Sequence, residues 1–303
     1  MVYIPKGFNA PPVPELDDAE KNLDLNNLAG KSLPGRCTIA SVTVHGASYS
    51  ALSHRVEAML ADGTKKTLDS EWTAGKDMAK GEYEGLKALH AVIPANTPEP
   101  IAYGTYARDP SRHFLLCSFH EMKDVMPSTE KIISVVAELH EKSISHRGKF
   151  GFHYTTHAGN HPLQTTWCDS WENFFSRQFR EEVKWEKSFQ GQNGEMDELV
   201  AVIYEKVIPR LLRPLQTGGR STKPSLCNGD LWHGNVGVDV ATDDPILCDP
   251  CAIYAHNECE CSTTCWRGDQ IATAYHKLIK PSEPVEDYDD RNALYALYVS
   301  RRV

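Results

Sequence analysis

The chain has 303 residues, 41% of them hydrophobic and 24% charged, with a formal net charge of -9. That length suffices for two lobes with a sizeable core, and the composition excludes overall disorder. The acidic balance argues against nucleic acid or an anionic membrane as the main partner, since both select basic patches.

From the N-terminus, residues 1–34 are Pro-rich and then acidic, and read as a flexible arm. No basic n-region with an apolar core is visible there, and no apolar run approaches the roughly 20 residues that span a bilayer, so the expected setting is cytoplasmic. Thr38 to Val44 and His54 to Leu60 are strand-like, joined by the small-residue turn HGASYS. Such a turn can lay backbone amides over phosphates, although one Gly and two small residues also describe an ordinary hairpin. A helix is expected from Met78, with Met78, Leu86 and Leu89 on its apolar stripe and Glu82 between them. A carboxylate on that stripe needs a cation, unless it sits at the edge and reaches solvent. Strands follow at Ile101 to Tyr106 and His113 to Phe119.

The remainder reads as mainly helical. Helices are expected over Glu130 to Lys142, from Asp169 with Glu172 completing a capping box, and over Met196 to Leu212. Pro224 to Cys227, Val236 to Val240 and Ile246 to Cys248 read as short strands around the turns GDLWHGN and ATDDP. Nine cysteines, an odd number, favour reduced thiols over a disulfide framework. Five lie between Cys248 and Cys265. Four thiolates there could hold zinc, but the CxC spacing and the buried strand end at Cys248 speak against it. A redox-sensitive thiol is the other expectation for this run.

The stretch NGDLWHGNVGVDVATDDPILCDP carries the chemistry. Asp230 is followed five residues later by Asn235, and a second carboxylate, Asp249, closes an apolar run before Pro250. This is the spacing of a kinase catalytic loop and its metal-binding Asp. There the first Asp receives the hydroxyl proton, while the Asn and the second Asp hold magnesium against nucleotide phosphates. Asp and Asn also concentrate in turns for purely structural reasons, so context must decide. Trp232, inside the loop, suits a wall for a sugar ring or a packing anchor. His233 suits a contact to substrate or phosphate, or simple solvation.

The wording GDLWHGN followed by PILCDP resembles the fructosamine kinase (ketosamine 3-kinase) family, within the aminoglycoside phosphotransferase-like branch of the kinase fold. The resemblance extends to GASYSALSHRV, GEYEGLKALHAVIP, PEPIAYGTY, HFLLCSFHEM, GKFGFHYTT, SWENFF and EPVEDYDDRNALYAL, suggests a fungal-type member and covers roughly residues 35 to 298. It implies an α+β, two-lobed, protein-kinase-like fold, with a small antiparallel-sheet lobe over 35–120 and a mainly helical lobe over 121–303. It implies ATP and Mg2+, with Gly46, Ala47 and Ser48 over the phosphates and Ser118, Phe119 and His120 along the adenine. Asp230 would be the base, with Asn235 and Asp249 on the metal. The family carries an FLK-like strand end whose Lys pairs with the helix Glu. That string is missing here, and Lys66, with Lys65 next, is the best remaining partner for Glu82. Asn228 stands where the family has His. The implied activity is phosphorylation of the 3-hydroxyl of ribulosamine or fructosamine, on glycated protein lysines or small ketosamines. Another aminoglycoside or choline kinase-type phosphotransferase and an impaired nucleotide-binding protein remain alternatives.

Overall fold

The computed structural model describes residues 38–47, 51–60, 62–73, 75–105, 110–123, 125–262 and 269–299. The expected arm over 1–34 and Ser48 lie outside them. The chain divides into two compact units. One comprises Met1–Pro127 with His233–Asp249, the other Ser128–Trp232 with Pro250–Val303.

The first unit is built on a five-stranded antiparallel sheet in the order β1-β2-β3-β5-β4, with β1 Thr38–Ala47, β2 Ala51–Met59, β3 Lys65–Thr73, β4 Pro100–Thr105 and β5 His113–Ser118. Residue-by-residue pairing of β3 with β2 and β5, Val56 opposite Leu68 and Leu68 opposite Ser118, runs without a bulge. Strand alternation therefore fixes two faces of β3. Leu68 joins Val56, Ala58, Ala102, Phe114 and Leu116 in a hydrophobic cluster, and Ser70 is buried. Asp69 and Glu71 point to the opposite face. Helix α1, Lys76–His90, begins at Gly75 without a side-chain cap and buries Ala79, Leu86 and Leu89. Asp77 in its first turn and Lys87 and His90 in its last complement the helix dipole.

The hairpin of β10 (Val236–Asp239) and β11 (Pro245–Leu247) also belongs to this unit. The reason is a ladder: Val238 and Asp239 pair with Lys123 and Met122 of β6, Met122–Lys123. A division at residue 120 would have placed this hairpin with the helices. Asp239 accepts the amides of Ala241 and Thr242, which shapes the turn, and a second oxygen meets His120 Nδ1 at 2.9 Å.

In the second unit β7 (His157–Ala158) and β8 (His161–Pro162) pair as a short hairpin, and α2 (Thr129–Lys142) and α3 (Trp171–Gln190) lie where helices are expected. Ser170, rather than Asp169, caps α3, its hydroxyl accepting from Asn173 N. The capping box fails because Glu172 instead takes both ends of the Arg213 guanidinium, at 2.8 and 2.9 Å, and Asp169 meets Lys149. The helix expected over Met196 to Leu212 is split into α4 (Gly194–Val202), a π-turn over Ile203–Val207 and α5 (Ile208–Leu212). Pro209 offers no N–H to the preceding turn, and the wider turn absorbs that loss.

Trp171, Phe174, Phe175 and Phe179 of α3 form the aromatic core with Tyr295 and Tyr298 of the last helix, Tyr288–Val299. Tyr295 Oη accepts from Trp171 Nε1 and meets His256 Nδ1, each at 2.8 Å, while His256 Nε2 reaches Ser282 Oγ at 2.8 Å. Both ring nitrogens are satisfied by neutral partners. Burial drives the His256 pKa down to about 4, and the Arg291 charge pushes the same way against the pull of Glu258. A histidine whose folded pKa lies below its unfolded value releases stability as pH falls through that interval. Between pH 6.5 and 4 the loss should approach about 3 kcal/mol at one pKa unit per 1.4 kcal/mol. His256→Gln should flatten the dependence of the melting temperature on pH over that range, and an unchanged slope would exclude His256 as its source.

Candidate active site

The second unit presents Asp230. Strand β9, Ser225–Cys227, pairs with β12, Ile253–Ala255, through Cys227 opposite Ile253, and the loop leaves its end. Asn228 is fully buried, and its Oδ1 accepts the Asp230 amide at 3.1 Å. The amide Oδ1 thus serves the loop where the family has His. Glu260 receives two further amides, those of Asn228 and Gly229. Gly229 has φ 82°, and a Cβ there would lie 2.4 Å from Cys251 O, so the close passage of the two backbones requires glycine. Asp230, itself only partly buried, is held by its backbone, and Trp232 N donates back to Asp230 O. Trp232 is half-buried.

The first unit presents Asn235 and Asp249. His233–Asn235 form a 3-10 turn, with His233 half-buried and Asn235 buried. Asn235 O accepts from Cys248 N at 2.9 Å, and Val236 pairs with Leu247. Asn235 and Asp249 therefore emerge from the same end of the hairpin. Asp249 is exposed, with φ 44°.

The lysine is the point at which expectation and structure part. Lys66 lies on the face of β3 shared with Leu68 and Ser70, and its Nζ reaches Glu99 at 4.0 Å. The residue that β3 turns towards Glu82 is Glu71. Carboxylate oxygens of Glu71, Glu82 and Asp249 lie within 4.8 Å of one another. Among the described residues no Lys, Arg or His lies within salt-bridge distance of Glu82. Lys66 is thus excluded as its partner by alternation alone. Lys65, on the other face, is exposed at the far end of the strand.

Burial, and then the neighbouring carboxylates, push Glu71 and Glu82 well above the usual carboxyl range. Burial and Asp249 raise Asp69 to about 7. Two full charges at the 4.8 Å limit repel by roughly 3.5 kcal/mol at an effective dielectric constant of 20. The cluster must hold protons or a cation. The same field, after burial, raises the thiols of Cys117 and Cys248 well above normal, which disfavours the thiolate form at both.

Gly46 and Ala47 lie at the end of β1, paired with Ser53 and Leu52. Ser118 N donates to Glu99 O at 2.9 Å, and its Oγ serves Glu99 N and His120 Nε2. Phe119 lies under the Arg55 guanidinium. Ser118 is therefore engaged within its own unit.

The sequence profile of fructosamine kinases matches residues 58–300. The chain belongs to the fructosamine kinase family. It is 28% identical over 234 residues to the chloroplastic protein-ribulosamine 3-kinase of Oryza sativa subsp. japonica, covering 74% of this chain and 62% of that protein. It is 29% identical to a probable ketoamine kinase of Synechocystis sp., covering 73% and 70%. To the ketosamine-3-kinase of Mus musculus it is 27% identical, covering 73% and 75%. The chain thus spans about three fifths of the rice relative's length.

The crystal structure of a putative fructosamine-3-kinase from Haemophilus somnus 129PT superposes with a TM-score of 0.71 at 18% identity, covering 92% of this chain and 90% of that one. A thermostable aminoglycoside phosphotransferase, APH(4)-Ia, crystallised with AMP-PNP and hygromycin B, gives 0.56 at 11% identity, covering 91% and 88%. The fold is the α+β fold of these phosphotransferases, as the resemblance implied. Glu71 faces Glu82 where a lysine was expected. The strand-helix pairing was expected; its sign was not, because register within β3 is not visible until its partners are known.

Glu71→Gln removes one opposed carboxylate at constant length. It should raise the melting temperature by a few degrees at neutral pH. A lower value by calorimetry would show that Glu71 is instead a stabilising partner.

Proposed function

We propose that the chain is an ATP-dependent ketosamine 3-kinase acting on ribulosamine or fructosamine adducts of protein lysines and small ketosamines. The observation that carries this reading is the loop itself. Asp230 follows two residues whose amides are clamped by Glu260, and Asn235 and Asp249 leave one end of a hairpin. In the proposed reaction the Asp230 carboxylate orients the sugar 3-hydroxyl and accepts its proton as the new O–P bond forms. The bond from the γ-phosphorus to its bridging oxygen breaks, and ADP leaves. Positioning and charge neutralisation supply most of the rate.

Asn235 and Asp249 are assigned to magnesium. One carboxamide and one carboxylate fit a hard ion that keeps several waters, and Glu71 and Glu82 add oxygens beside Asp249. When bound, the ion would neutralise charge on the nucleotide phosphates. Trp232 is assigned to the sugar face and His233 to the substrate or phosphate side. Gly46, Ala47 and Ser48 are kept as the phosphate turn, and Ser118 to His120 as the adenine segment. Net negative charge supports no nucleic acid partner, and no helix among the described residues is long and apolar enough to cross a membrane. A cytoplasmic setting fits the cysteine usage, although the rice relative is named chloroplastic.

A second reading has one observation in its favour. Glu71 faces Glu82 where a lysine would steady the phosphates, which favours a nucleotide binder with little turnover. Asp230→Ala separates the two. Under the kinase reading it abolishes phosphate transfer to a ribulosyl-lysine peptide, followed by mass spectrometry, while the thermal shift with magnesium and ATP persists. A wild-type chain that shifts with nucleotide yet never phosphorylates the peptide supports the binder, and undiminished turnover in the variant removes Asp230 from the mechanism.

A further inference from the structure

A second group of metal-ligating side chains lies wholly within the second unit, apart from Asn235 and Asp249. His140 of α2, Cys227 at the end of β9 and Glu260 of the 3-10 segment Asn257–Ser262 are all buried. One ligand atom from each lies within 4.8 Å of the other two. His140 Nε2 is 3.8 Å from Glu260 Oε2. Around a tetrahedral zinc, ligand atoms at bond lengths of 2.0 to 2.3 Å are separated by roughly 3.5 Å. The His140–Glu260 separation is close to that value, and a bound of 4.8 Å on the other pairs leaves only a small inward adjustment to close the group on one ion.

An independent observation points into the same space. The His140 side chain is only 1% exposed, and its Nε2 makes no hydrogen bond. Its other nitrogen, Nδ1, meets Tyr275 Oη at 2.7 Å, and Tyr275 Oη also accepts from Asn257 Nδ2 at 2.8 Å. With Nδ1 protonated towards Tyr275, Nε2 presents its lone pair to the cluster. This is the outer-shell arrangement that orients a metal-bound imidazole. A buried ring nitrogen left without a hydrogen bond is costly and calls for a partner.

Glu260 Oε1 accepts from Gly229 N at 3.0 Å and Oε2 from Asn228 N, yet each carboxylate oxygen keeps a further lone pair. A cavity lined in part by Cys227, Gly229, Cys259 and Glu260 adjoins the group.

We propose that His140, Cys227 and Glu260 form a zinc site that anchors the loop carrying Asp230. Imidazole, thiolate and carboxylate together suit a borderline ion, whereas magnesium would refuse the sulfur. Binding breaks the Cys227 S–H bond and the sulfur's present contact to Ser225 O. The S–Zn bond forms, and one proton leaves to solvent. One thiolate, one carboxylate and one dication sum to zero charge, which gives the buried Glu260 carboxylate a counter-charge. The ion would tie α2, β9 and the segment over 257–262 to the two residues that precede Asp230. Glu260 itself lies within the cysteine run after Cys248 considered from the sequence, but the thiol proposed here is Cys227, outside that run.

The test uses the full chain purified without a histidine tag. Mass spectrometry of the metal content should find about one zinc per chain after dialysis against a weak chelator. The cobalt-substituted protein should show a thiolate-to-cobalt charge-transfer band that Cys227→Ser abolishes. His140→Gln should weaken zinc at least about tenfold in competition with a chromophoric chelator. A chain that retains no zinc, or a cobalt band that survives in Cys227→Ser, overturns the site. Should Cys227→Ser fail to fold by circular dichroism, an unchanged affinity in His140→Gln overturns it equally. None of these readouts depends on turnover, so failure of the kinase reading would leave them intact.

Discussion

Like charge facing like charge is the constraint on which the first unit turns. A strand without a bulge presents Asp69 and Glu71 to a helix that presents Glu82, and the end of a hairpin adds Asp249. In a kinase-like unit the strand normally offers a cation at this point, so that the helix, the strand and the nucleotide phosphates share one ion pair. Here the counter-charge must be supplied from elsewhere, by protons or by a cation with water. Either way the state of the cluster is linked to whatever binds there. The position of α1 and the charge available to phosphates cease to be separate questions.

The second unit solves a different problem, that of holding the loop that carries Asp230 still without helical regularity. Its solution is to saturate the backbone. Asn228 Oδ1 takes the Asp230 amide, Glu260 takes the two amides before it, and Asp230 O takes the amide of Trp232. Nearly all of this is done by buried side chains on a strand end and a 3-10 segment. Asp230 itself stays only partly buried, as the proposed role of proton acceptor would require.

Much of this was legible in the chain. Strand alternation, the helix carrying Glu82, and the order Asp230, Asn235, Asp249 follow from periodicity and turn chemistry, and the motif wording pointed to the family. Three features were not legible, for physical reasons. Lys66 failed because one residue of register moves a side chain to the opposite face, and register depends on long-range pairing. The capping box at Asp169 failed because Arg213, far along the chain, competes for Glu172. The cluster of His140, Cys227 and Glu260 carries no sequence signal, since its members are separated by 87 and 33 positions and only the packing of α2 on β9 joins them.

Gly229 shows how little freedom the loop retains. A left-handed backbone at that point and a carbonyl at 2.4 Å from any Cβ mean that every other residue type meets two penalties at once, about 1 kcal/mol for the conformation alone and more for the collision. The strand behind it is anchored by its ladder to β12, so the segment ahead would yield first. Variation at this position would be purged through misplaced chemistry before any loss of folding, and the glycine acts as a calibrated spacer between two stretches of main chain.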